Sequence, residues 1–267
     1  MNTINNILKH PLMQLVGYPL SWIGFGLVTA IFSGKKVDWL DLILLVIIVI
    51  LSHLVNHYNF YHHIQRDPKA NSPILYYLLL AGLIASSLFF MSHQHYIINV
   101  LLGIFVIVTA IQYQFIPLVR TIYHSLLNIY FTGFLLNVIA YYSQANTLTN
   151  KELISFIPIV VLMTGLEINQ QYLKGTFNLN FTKKYIPIKI TYIVFFLFIV
   201  ATCIGVYTSL PSQSYYLLQI LFFCITFTTA LPSLIPVRKN HRIQNKLNYQ
   251  GALSLIFIIF YSLSYLF

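Results

Sequence analysis

Apolar stretches of membrane-crossing length follow one another along almost the whole chain, separated by short polar segments rich in Asn, Gln, Lys, Pro and Tyr. Nine of them are predicted as helices, over 11–33, 39–62, 73–92, 95–114, 117–142, 152–170, 186–209, 213–235 and 248–267. Each has roughly the 17–25 residues that a helix needs to cross about 30 Å of hydrocarbon. The first is long enough to span and has no small-residue cleavage site behind it, so it is expected to be a retained helix rather than a signal. No internal repeat or low-complexity segment breaks the alternation, and one membrane domain over 1–267 is expected.

Composition fixes the class. The 267 residues are 58% hydrophobic and 7% charged, with a mean hydropathy of +0.77, where soluble domains carry about 25% charged residues. The fold class is therefore all-α, a polytopic bundle of about nine transmembrane helices. The net charge of +10 would suggest nucleic acid in a soluble protein. Here its distribution gives a different cause. Twelve basic residues (Lys9, Arg66, Lys69, Arg120, Lys174, Lys183, Lys184, Lys189, Arg238, Lys239, Arg242 and Lys246) fall on alternate connections, against three (Lys35, Lys36, Lys151) on the others. The positive-inside rule then predicts a cell-membrane protein with its N-terminus cytoplasmic and its C-terminus outside. Anionic lipid or a diphosphate, not nucleic acid, is the expected partner of that charge.

Candidate chemistry gathers on the cytoplasmic side. The stretch His53–Ser72 reads HLVNHYNFYHHIQRDPKANS and starts inside the second span. At helical spacing His53, Asn56, His57 and Phe60 share a face, and buried polar groups cost several kcal/mol without partners. Only five acidic residues exist, Asp38, Asp41, Asp67, Glu152 and Glu167, and Glu167 is the one read as lying within a span. Arg66, Lys69, Arg120, Lys174, Lys183 and Lys184 sit on three connections of the same side, a set suited to a phosphate or diphosphate. The i, i+4 pair His53/His57 has the spacing of a transition-metal chelate with Glu167 as a third ligand, or of histidines that only hydrogen-bond to neighbouring helices. Cys203 and Cys224 lie in apolar runs and read as small hydrophobes.

The order of these motifs resembles the UbiA superfamily of intramembrane prenyltransferases. Asn56-His57-Tyr58-Asn59-Phe60-Tyr61 is similar to the first, Asn-led motif closing the second helix, particularly in the menaquinone-pathway branch. Tyr113 through Arg120, YQFIPLVR, is similar to the Tyr-x-x-x-Pro stretch entering the fifth. Glu167 and Gln171 stand in the aspartate places of the second motif, and Lys184-Tyr-Ile-Pro-Ile-Lys189 resembles the entry to the seventh helix. The resemblance implies transfer of a prenyl group from an isoprenoid diphosphate to an aromatic or other small acceptor. Asn56, Asp67, Arg120 and Glu167 would orient or neutralise the diphosphate, with Arg66, Lys69, Lys174, Lys183 and Lys184 binding it. Tyr113, His53 or His57 would orient the acceptor or take its proton.

The resemblance also implies two Mg²⁺ ions held by aspartates. Here the first family aspartate falls on Phe60, which cannot ligate, and Asn or Gln offers only a neutral carbonyl. Glu167 and Asp67 remain as the metal-binding candidates. Two other readings follow. One is a non-catalytic relative that binds an isoprenoid, quinone or peptide partner; the other is a His/Glu metal-binding or transport protein.

Overall fold

A helix end leaves backbone N–H or C=O groups that lipid cannot satisfy, so in a bilayer the caps and breaks decide where each helix starts and bends. The computed structural model describes residues 10–33, 37–60, 62, 73–113, 121–174, 186–210, 216–235 and 240–267. Among these there are ten helices and no strand: α1 (Met13–Ser21), α2 (Gly24–Phe32), α3 (Trp39–Asn59), α4 (Pro73–Met91), α5 (Tyr96–Ile111), α6 (Ile122–Ala145), α7 (Asn150–Leu173), α8 (Ile186–Thr208), α9 (Leu217–Leu234) and α10 (Asn240–Leu266). Seven are long and apolar enough to cross a membrane, and α1 with α2 makes an eighth, broken span. α5 is equally apolar but only 16 residues long. The protein is a polytopic membrane helix bundle.

Two element boundaries differ from the sequence expectation. The first span bends by 51° between α1 and α2. There the Gly26 N–H, one of the orphan donors at the start of α2, donates to Asn137 Oδ1 of α6 at 3.1 Å. Glycine is required at position 26 because a Cβ would lie 2.3 Å from the Asn137 carbonyl oxygen. Replacing the fully buried Asn137 by leucine leaves that N–H unpaired and is expected to cost about 1–3 kcal/mol, readable as a lower midpoint of thermal unfolding in detergent. The last helix starts eight residues before its apolar stretch, at Asn240 instead of 248. Lys246 Nζ donates to the carbonyls of Ser233 at 2.9 Å and Ile235 at 2.8 Å, tying the polar first turns of α10 to the end of α9. Apolarity marks where lipid begins, not where the helix does.

The helices close a ring in which α3 lies against α4 and α5, α6 against α7, α7 against α8, α9 against α10, and α10 against α1. α2 runs inside, packed on α6 and α10. Its Phe25 is fully buried and stacks on Tyr261 of α10 with ring centroids 4.6 Å apart. Three of the five acids serve one end of this ring. Asp38 caps α3 by accepting from the N–H groups of Leu40 and Asp41 at 3.0 and 3.2 Å. Asp41 takes the Gln94 side chain, and Glu152 closes a capping box with Thr149 at the start of α7. Carboxylates at helix N-termini satisfy orphan donors and complement the helix dipole. The opposite end, where α3, α5 and α7 finish and α6 begins, is therefore left with Glu167 as its one acid among the described residues.

Candidate functional site

At that second end, four helices turn polar faces toward one another. The last turns of α3 present His53, Asn56, His57 and Phe60, as their i, i+3, i+4, i+7 spacing dictates. The last turns of α7 do the same with Glu167, Gln170, Gln171 and, just past the helix, Lys174. The first turns of α6 add His124, Asn128 and Thr132, α1 adds Tyr18, and Trp22 follows just past the end of α1. With Tyr113 these residues line a partly open recess with about 80 Å³ of free internal volume.

A network of carboxamides sets the geometry. Glu167 Oε1 accepts from Gln171 Nε2 at 2.6 Å and from Asn128 Nδ2 at 3.3 Å. The Gln171 amide also donates to Ser125 Oγ at 2.5 Å, tying α7 to α6. Asn56 Oδ1 accepts from Gln112 Nε2 at 2.5 Å, tying α3 to the end of α5. The Lys174 ammonium lies 5.0 Å from the centroid of the Phe60 ring, a cation–π arrangement across the recess, and donates to Gln170 Oε1 at 3.4 Å. Burial pushes this ammonium below its usual range, and the Glu167 carboxylate opposes the shift. Deeper in, His53 is 7% exposed and meets Tyr18 and Trp22 edge-on at 5.8 and 5.5 Å. Its Nε2 has no hydrogen-bond partner among the described residues.

Seven sequence candidates bear on this place. His53, Asn56, His57, Tyr113, Glu167 and Lys174 line the recess, and so does Gln171 of the second motif. Asp67, Arg66, Lys69, Arg120, Lys183 and Lys184 lie outside the described residues. The sequence reading missed Tyr18, Trp22, His124, Asn128, Thr132 and Gln170 as lining residues. For α6 a signal existed: His124, Asn128 and Thr132 form a polar i, i+4, i+8 stripe in an apolar span. Tyr18 and Trp22 carried none, because aromatics on a membrane helix are commonplace at interfaces.

The chelate expectation for His53 and His57 can be compared with the geometry. Their rings are tilted to each other with centroids 6.1 Å apart, and no group of three His, Cys, Asp or Glu side chains suited to a metal occurs among the described residues. Glu167 is the single carboxylate among the described residues that line the recess, and its Oε1 already serves two amides. The side chain at the first aspartate place is Phe60, with an ammonium lying across its ring.

No family model and no curated protein sequence matches the chain. Among solved structures it is similar to one described as digeranylgeranylglyceryl phosphate synthase in membranes. The match has 15% identity and a TM-score of 0.54, over 100% of this chain and 99% of the other. The two share a fold over their full lengths.

Proposed function

We propose that this is a membrane prenyltransferase of the UbiA type, which takes the head group of an isoprenoid diphosphate into the recess and passes the prenyl chain to an aromatic or other small acceptor. The observation carrying this reading is that Asn56, Glu167 and Lys174, from the ends of two different helices, meet on one recess. It does so in the fold of a protein whose name is that of a prenyl-lipid synthase.

In the proposed reaction the allylic C–O bond breaks and its electron pair leaves with the diphosphate. The acceptor then bonds to the allylic carbon and loses a proton. Lys174 lines the recess, where it would meet the departing charge. His53, buried with its Nε2 unpaired among the described residues, is placed to accept the proton of an acceptor that reaches the Tyr18–Trp22 wall.

The assay is diphosphate release from labelled geranylgeranyl diphosphate by purified protein supplied with a membrane lipid extract as acceptor, in Mg²⁺ and in EDTA. Release with formation of a prenylated product is expected, and His53→Ala is expected to slow it by about 10²-fold or more, the range of a lost acid–base group. A second reading is favoured by the hydrogen bonds that occupy Glu167: a non-catalytic protein that holds a prenyl lipid. Such a protein would retain the lipid through purification and release no diphosphate. Neither turnover nor retention would remove both readings.

A further inference from the structure

Two divalent cations bridging a diphosphate need several hard carboxylate oxygens, because Mg²⁺ binds carboxylates and water in strict octahedral geometry. This chain has five acids in all. Asp38 and Glu152 cap helices at the far end and Asp41 is engaged there by Gln94. Glu167 is bound by Gln171 and Asn128, and Asp67, beyond the described residues, is the only other acid in the chain. The residues present do not fit a metal pair.

Something else occupies the corresponding place. The Lys174 ammonium stands over Phe60 at 5.0 Å, and its one acceptor among the described residues, Gln170 Oε1, lies at 3.4 Å, long for a charge-assisted bond. An ammonium carries three donors, so a phosphate oxygen entering the recess would find both charge and N–H groups there. Asn56, Asn128, Gln170 and Gln171 line the same recess with carboxamides, which hydrogen-bond without adding negative charge. Among the described residues, a lining with one ammonium, one engaged carboxylate and four carboxamides repels an incoming polyanion far less than bare aspartates do.

Resting on the prenyl-diphosphate reading above, we propose that this recess binds the diphosphate end of an isoprenoid without a divalent metal, the Lys174 ammonium supplying the counter-charge.

The test is equilibrium binding of geranylgeranyl diphosphate to the purified full-length protein in lipid nanodiscs, in EDTA and in Mg²⁺, with geranylgeraniol as the uncharged control. The wild-type Kd is expected to agree within about threefold in the two conditions, since a metal bridge contributes more than that. In EDTA, Lys174→Gln is expected to weaken diphosphate binding by about tenfold or more, as for loss of a charge-assisted contact, and Lys174→Arg to retain most of it. Unchanged geranylgeraniol binding by Lys174→Gln would establish that the variant is folded. A tenfold or larger gain on adding Mg²⁺ to the wild type would overturn the inference and leave the prenyl-diphosphate reading standing. So would a Lys174→Gln protein that binds the diphosphate as the wild type does. Binding in neither condition would overturn both.

Discussion

With Phe60→Asp, binding of geranylgeranyl diphosphate is expected to become dependent on Mg²⁺. Phe60 sits at the end of α3, 4% exposed, with the Lys174 ammonium over its ring. A carboxylate at that position removes the cation–π contact and pairs with Lys174 instead, so the cation is no longer offered to a phosphate. In EDTA the affinity should fall by about tenfold or more, the scale of an unscreened like-charge contact in a partly buried site. Added Mg²⁺ should restore it, because the recess would then contain a second carboxylate across from Glu167. Phe60→Leu separates charge from packing. It loses the ring without gaining an acid, and its binding should stay insensitive to Mg²⁺. If Phe60→Asp binds equally well in EDTA and Mg²⁺, Phe60 is not at the metal-equivalent position and the account of Lys174 is wrong as well.

Gly251→Val should be close to unable to fold. A Cβ on Gly251 would lie 2.1 Å from the carbonyl oxygen of Met13 and 2.7 Å from its carbon. Both are backbone atoms in the π-helical first turn of α1, so no side-chain rotation relieves the clash. Small residues at such crossings let membrane helices approach closely, and overpacking a tight contact costs about 1–3 kcal/mol, more where backbone must move. Low yield and a strongly reduced unfolding temperature in detergent are the expected results, with Gly251→Ala intermediate. Because α1 also carries Tyr18 and positions Trp22 just past its end, any Gly251→Ala protein recovered should bind prenyl ligands less tightly. Wild-type stability for Gly251→Val would mean that α1 and α10 do not cross as described.

These two variants probe different levels of legibility. That position 60 is unusual could be read in the sequence, because the motif around Asn56 has a phenylalanine where a carboxylate belongs. That Lys174 lies against Phe60 could not, since 114 residues separate them and only the meeting of α3 and α7 brings them together. Gln171 was legible as a stand-in for an aspartate, but its hydrogen bonds to Glu167 and Ser125 were not. Nor was the contribution of His124 and Asn128, whose stripe on α6 acquires meaning only opposite Glu167. The break after α1 was hidden for a related reason. Hydropathy is continuous across 11–33, and the bend depends on Asn137, a residue of another helix that satisfies the freed N–H of Gly26.

By itself the sequence determined the membrane-helix class, the succession of apolar helices and the end of the bundle at which polar chemistry collects. Those properties follow from transfer free energies and charge counts that accumulate residue by residue along a single helix. The tertiary structure alone decided which polar side chains satisfy one another and which face the recess. Inside a bilayer every buried polar group must find a partner or a ligand, and that partner almost always comes from a helix distant in the chain.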